Sequence, residues 1–321
     1  MHKALSYKTK QFFFVLIKIS LVVGAFYFIY LKLTNNKGLS FYNVISFSLN
    51  NNAFSFKNIC FLLVLSFFNW FFEILKWQNL VYYVKPISFN AATKQNLGAL
   101  TASLFTPNRI GEYGAKAMYF TSNLRKRVML VNLLSNLLQM GVTCFFGIIG
   151  FGFYISIYNP EFNYFKLVKF IAVTFILITI FTFGITKSKF KIKGFSIKKL
   201  KLFSKEFPKQ KLIIGVFFSV IRYVFFSFQF YVLLYIFKVD LNYFNAMIII
   251  TTMYLLASII PSIFIFDVVV KGSIAVYLFS LAGVNDIIIL CIITIMWLLN
   301  FVLPSLFGSY FVLSFSLPKS Q

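Results

Sequence analysis

Six stretches of this chain are long and apolar enough to cross a bilayer, and that recurrence restricts the fold more than any other feature. They run over Phe12–Leu31, Ile59–Val81, Val128–Tyr154, Leu167–Ile185, Leu212–Phe237 and Ile287–Phe311. Each is near the roughly 20 residues that a helix needs to span about 30 Å of hydrocarbon. Backbone in hydrocarbon has no water to bond, so it must satisfy its own N–H and C=O groups, and runs of this kind predict helices. The composition agrees: 60% of residues are hydrophobic and only 12% charged, far from the balance of a soluble domain. The expectation is an all-α integral membrane protein forming a single transmembrane domain over residues 1–320. No cleavage pattern follows Phe12–Leu31, which reads as a retained span.

Several chemistries are excluded early. The one histidine is His2, at the terminus, so a histidine metal site or a Ser-His-Asp triad is not expected. Cys60, Cys144 and Cys291 are far apart within apolar segments and read as small lipid- or core-facing residues. Neither a P-loop nor a G-x-G-x-x-G context is present, so nucleotide-driven pumping has no support. No cofactor and no metal are expected.

A net charge of +24 would suggest nucleic acid in a soluble protein, but here most of it lies in short loops. Residues Lys187–Lys211 carry ten lysines against Glu206. That stretch reads as a cytoplasmic loop against anionic headgroups, which contribute about 1 kcal/mol per basic residue near the surface. With both termini cytoplasmic, 19 basic residues fall inside and six outside, as the positive-inside rule requires.

The second half of the chain repeats the first at an offset of 155 residues. Phe12–Leu31 falls on Leu167–Thr186, Ile59–Val81 on Ile214–Ile236, and Val128–Tyr154 on Gly283–Ser309; Glu112 matches Asp267 and Lys116 matches Lys271. This predicts two repeats, residues 10–158 and 165–315, from an internal duplication. Between the second and third spans of the first repeat, Leu97–Phe105 and Ile110–Phe120 are each too short to cross and are joined at Pro107. They predict a re-entrant hairpin with its tip near the midplane. The second copy is less regular, because Tyr243–Ile260 is long enough to span and its partner Val268–Leu281 is not. Each half then crosses an odd number of times, so the architecture expected is about six full spans plus two hairpins in two inverted repeats, as in many secondary transporters.

A charge at the bilayer centre costs about 2.5–3.5 kcal/mol on insertion scales, so an intramembrane ion needs a partner or a task. Glu112 with Lys116 and Asp267 with Lys271 are four residues apart, and Glu73 with Lys76 three apart, so each pair shares a helix face. Neutral structural pairs are the simplest reading. Arg109 and Arg222 have no such neighbour on their own segments. A helix beginning at Asn108, behind Pro107, would aim free N–H groups at the hairpin tip beside Arg109. Arginine and a helix N-terminus at membrane depth form an anion site, and phosphate is the abundant anion of a bilayer. Gly111 and Gly114 would admit a close backbone or headgroup.

The run Pro107-Asn108-Arg109-Ile110-Gly111-Glu112, with Lys116 beyond, resembles the P-x-R-x-G-E signature of the lysylphosphatidylglycerol synthase transmembrane-region family, a flippase-like membrane domain. The likeness in segment layout covers about residues 10–315. It implies a lipid translocator of the bacterial plasma membrane, or an accessory of lipid or lipid-linked sugar metabolism. The chain ends at Gln321 without the soluble aminoacyl-transferase domain of the synthases, so lysyl transfer is not expected of it. The second copy, Pro261 to Asp267, has neither the glycines nor the arginine, which weakens a symmetric two-site mechanism. The resulting expectation is a carrier of anionic lipid headgroups. Pro107, Arg109, Gly111, Glu112, Lys116, Arg222, Asp267, Lys271, Glu73 and Lys76 form its substrate site. The expected partners are that lipid and either a second copy of the chain or an enzyme of lipid metabolism. A lipid-modifying enzyme with Glu73, Glu112 or Asp267 as base and a non-transporting accessory protein are the alternatives.

Overall fold

A computed structural model of the chain describes residues 23, 27, 55–104, 106, 110–160, 203, 205–259 and 267–317, without the side chains of residues 267–270. The described residues are helical, with no strand among them. Four helices are long and apolar enough to span a membrane: α1 (Phe56–Val81), α4 (Arg125–Tyr158), α5 (Lys209–Ile236) and α8 (Asp286–Leu313). They coincide with four of the six predicted spans. The other two, Phe12–Leu31 and Leu167–Ile185, lie outside the described residues apart from Val23 and Tyr27, which are helical, and so does most of the lysine-rich stretch. Its final residues are helical, because Pro208 caps α5 and the helix runs from Lys209.

Between the long helices lie two pairs of short ones. The first pair is α2 (Phe89–Ser103) and α3 (Gly111–Met118), and the second is α6 (Tyr243–Ile259) and α7 (Asp267–Ser280). At 1.5 Å per residue the longest of these, α6 with 17 residues, extends about 25 Å, short of the hydrocarbon thickness. The first leg starts earlier than the apolar run at Leu97 suggested. Ser88 accepts a hydrogen bond from the Ala91 N–H and caps a helix that carries the polar residues Thr93 to Asn96 within it. Gln95 is tolerated there because it accepts a 2.8 Å hydrogen bond from the Trp77 indole.

α1 and α5 form the central pair, in contact along their length. Phe225 of α5 stacks on both Phe68 and Phe72 of α1, with centroids 5.1 and 5.6 Å apart. Gly215 lets Leu80 approach the α5 backbone. The remaining long helices reach across the chain: α2 packs on the C-terminal part of α8, and α6 packs on α4. Both crossings are made at glycine. A side chain at Gly308 would collide with the Leu97 carbonyl and Thr101 of α2, and one at Gly150 with Thr251 of α6. Small residues at crossings let membrane helices approach closely.

α8 is not uniformly wound. Pro304 has no N–H to offer the Asn300 carbonyl, and its ring crowds that carbonyl. The strain is absorbed in a π-helical turn over Leu298–Val302, where the Leu303 N–H reaches back five residues to the Leu298 carbonyl. Carbonyls released in such a turn need other donors. α1 supplies them: Ser66 Oγ donates to the Leu299 carbonyl at 2.8 Å and the Trp70 indole N–H to the Asn300 carbonyl at 3.1 Å.

Candidate functional site

One stripe of α1 carries the site. Asn69, Glu73, Lys76, Trp77 and Leu80 recur at the spacing of a single helical face and are all buried. Glu73 Oε2 is 2.7 Å from Lys76 Nζ on its own helix and 2.9 Å from Arg222 Nη1 on α5. Glu73 is the one ion-pair partner of Lys76 among the described residues. Arg222 also donates from Nε to Asn69 at 3.1 Å and from Nη1 to Gln139 of α4 at 3.3 Å. Its Nη2 group makes no hydrogen bond among the described residues, and the side chain keeps 22% of its surface exposed.

A second ionic node lies on the other side of the same stripe. Lys116 Nζ is 2.8 Å from Glu112 Oε1 and donates to Asn132 of α4 at 3.0 Å. It also stands over the Trp77 ring, 4.2 Å from its centroid, a favourable position for a desolvated cation. Lys116 is within electrostatic reach of Glu73 and Lys76. The two nodes together therefore set three cations against two carboxylates in a low-dielectric interior, where charge imbalance is costly.

Asn69 links the ions to the π turn. Its Nδ2 donates to Asn300 Oδ1 at 2.8 Å, and Asn300 Nδ2 donates in turn to Gln229 Oε1 at 2.8 Å. Gln229 closes the chain on the Leu62 carbonyl at 3.0 Å. One buried amide, Asn300, thus ties α1, α5 and the irregular turn of α8 together.

A cavity of about 320 Å³ opens beside this network, walled by residues of α1, α4, α5, α6, α7 and α8. Arg222 and Lys271 both line it, and no carboxylate does so among the described residues. Tyr223 and Tyr254 line it too, with rings edge to face at 6.0 Å. Neither buried hydroxyl has a hydrogen-bond partner among the described residues. Such groups cost free energy unless a ligand satisfies them. Two cations, with two tyrosine hydroxyls and an Arg222 Nη2 that are unbonded among the described residues, make the cavity suited to oxygen-rich anions.

The residues named from the sequence fall into three groups. Glu73, Lys76 and Arg222 form one ion cluster, Glu112 and Lys116 form the adjacent one, and Lys271 faces the cavity. Pro107 and Arg109 lie outside the described residues, as does the Asp267 side chain. α3 begins at Gly111, not at Asn108, with the Thr106 hydroxyl accepting from the Gly111 N–H at 2.9 Å. Gly111 is closely approached, by Thr106 and the Ala102 carbonyl, whereas no described residue lies within 4 Å of where a Gly114 Cβ would stand. Sequence reasoning missed Asn69, Gln139, Tyr223, Tyr254 and Asn300. The amides had a signal, as uncharged polar residues inside apolar runs; the tyrosines had none.

The molecule is thus an integral membrane protein with a buried, positively biased site between its long helices. It belongs to the lysylphosphatidylglycerol synthase TM region family, whose model matches residues 15–308. That membership makes it a membrane protein of lipid metabolism. No curated protein and no solved structure matches the chain.

Proposed function

We propose that this protein moves a lipid with an anionic headgroup between leaflets, with the phosphate held in the cavity by Arg222 and Lys271. The observation that carries this reading is the cavity itself: two cations in its walls and, among the described residues, no carboxylate lining it and no partner for the two tyrosine hydroxyls. Arg109, behind Pro107, is assigned to the same headgroup path, and Asp267 with Glu112 to charge balance. Glu73 is already held by two cations, which suits a fixed counter-ion better than a catalytic base.

Residues 10–158 and 165–315 are read as inverted repeats, with six spans and two re-entrant hairpins. The packing supports that reading. The exchange of α1 for α5, α2 for α6, α3 for α7 and α4 for α8 leaves the pattern of neighbours unchanged: α1 against α5, α2 against α8, α6 against α4. Rocking of the two halves about the central pair would expose the cavity to either side in turn. A bacterial plasma membrane, with both termini and the Lys187–Lys211 stretch cytoplasmic, completes the proposal.

The test is reconstitution of the full chain in vesicles carrying headgroup- or chain-labelled phosphatidylglycerol or phosphatidylcholine, with an outer-leaflet quencher. Phosphatidylglycerol should exchange faster than in protein-free vesicles and faster than phosphatidylcholine. Arg222→Gln should slow it roughly ten- to a hundredfold, since a charge-assisted hydrogen bond is worth about 1.5–3 kcal/mol. Exchange no faster than in protein-free vesicles, or equal for both lipids and indifferent to Arg222, would refute the reading.

A further inference from the structure

A second concavity of about 300 Å³ lies between α1, α2 and α8. It differs in character from the cationic cavity. Phe67, Phe71, Phe89, Leu97 and Phe307 line it, and Phe67 and Phe307 are 63% and 60% exposed, so it faces the outside of the helix bundle. Its hydroxyls already have acceptors: Ser66 donates to the Leu299 carbonyl and Thr93 to the Phe89 carbonyl of its own helix. A headgroup would find no donor here, whereas hydrocarbon would contact carbon on several sides at once. Dispersion favours such a seat over a flat helix face.

The two spaces share a wall. Trp70 lines both, and the π turn contributes Leu299 to the groove and Asn300 to the cavity. The indole is held in that dividing position by its hydrogen bond to the Asn300 carbonyl. A chamber with two cations in its walls and a hydrocarbon groove, meeting at one tryptophan, match the two ends of an amphiphile. The chamber, about 320 Å³, amounts to roughly ten water volumes, near the lower end of ligand pockets. That is room for a phosphate with a small alcohol.

We propose that the groove seats one acyl chain of the lipid whose phosphate occupies the Arg222 cavity. The two spaces, divided by Trp70, are then one bipartite site for a phospholipid with a small phosphodiester headgroup. This rests on the headgroup reading above and adds the acyl seat and the headgroup size.

The experiment reconstitutes the full chain with a trace of phosphatidylglycerol carrying a diazirine in one acyl chain, followed by photolysis and mapping of adducts by mass spectrometry. Adducts should concentrate on Phe67, Phe71, Leu97 and Phe307, and excess unlabelled phosphatidylglycerol should remove them. Thr93→Trp, which fills the groove, should lower them roughly tenfold, equivalent to about 1.4 kcal/mol, while Ile148→Trp, on an exposed face away from the groove, should leave them. Arg222→Gln should also lower them, because the headgroup end is no longer held. Adducts spread evenly over other exposed positions such as Phe145 and Phe217 would overturn the acyl seat alone. So would p-benzoylphenylalanine replacing Phe307 that captures the chain's own Phe12–Leu31 run instead of lipid. Groove adducts that persist in Arg222→Gln unchanged would overturn the headgroup assignment and the bipartite site, leaving the groove as a lipid seat only.

Discussion

Removal of the Glu73 charge should damage the fold far more than removal of the Arg222 charge, although the two side chains touch. Glu73 is buried and stands between Lys76 at 2.7 Å and Arg222 at 2.9 Å. Glu73→Gln leaves two cations facing one another with no carboxylate between them; breaking a buried pair in this way costs about 3–5 kcal/mol. Arg222→Gln leaves the Glu73–Lys76 pair intact and neutral, and the loss is limited to charge-assisted hydrogen bonds to Glu73 and to the amides of Asn69 and Gln139, about 1.5–3 kcal/mol. The variants should therefore rank clearly in thermal midpoint when purified in one detergent, Glu73→Gln lowest. The double variant Glu73→Gln/Lys76→Met removes the repulsion and should recover more than half of the lost midpoint, while Arg222→Gln should lose phosphatidylglycerol exchange without losing the fold. If Arg222→Gln unfolds as readily as Glu73→Gln, the arginine is a structural lock, and its exposed Nη2 is not a ligand for phosphate.

Further outcomes follow from the packing. Gly308→Ala and Gly150→Ala place a methyl against backbone or Thr251 at the helix crossings and should each cost about 1–3 kcal/mol. Gly152→Ala, which meets no described residue within 4 Å, should leave the thermal midpoint unchanged. Asn300→Leu strands Asn69 Nδ2 and Gln229 Oε1, both bonded to Asn300. At about 1–3 kcal/mol for each buried group left unsatisfied, it should lower the midpoint more than either glycine variant. A cysteine replacing Lys199 should react with an impermeant maleimide only in inverted vesicles; labelling from outside intact cells would reverse the proposed orientation.

What the sequence revealed and what it concealed divide by distance along the chain. The four described spans match predicted runs because length and apolarity are local properties, fixed by the bilayer whatever the neighbours are. The pairs Glu73–Lys76 and Glu112–Lys116 were legible for the same reason: three- and four-residue spacings place them on one face before any tertiary packing. Arg222 had no neighbour to read, since its partner Glu73 lies on another helix and meets it only where α1 packs along α5. The first short helix was misjudged because Thr93 to Asn96 look like a polar boundary, and only the Trp77 indole on α1 makes Gln95 acceptable within a buried helix. Pro304 lies inside the last apolar run, which reads as one uninterrupted span; the π turn just before it shows what the proline does there. It frees a carbonyl at Asn300, and because Trp70 must come close to cap it, the proline in α8 fixes the tryptophan of α1 that separates the cationic cavity from the apolar groove. A variant restoring the missing N–H, Pro304→Ala, would remove the cause of that arrangement while trimming only one side chain of the groove wall and none of the cavity wall.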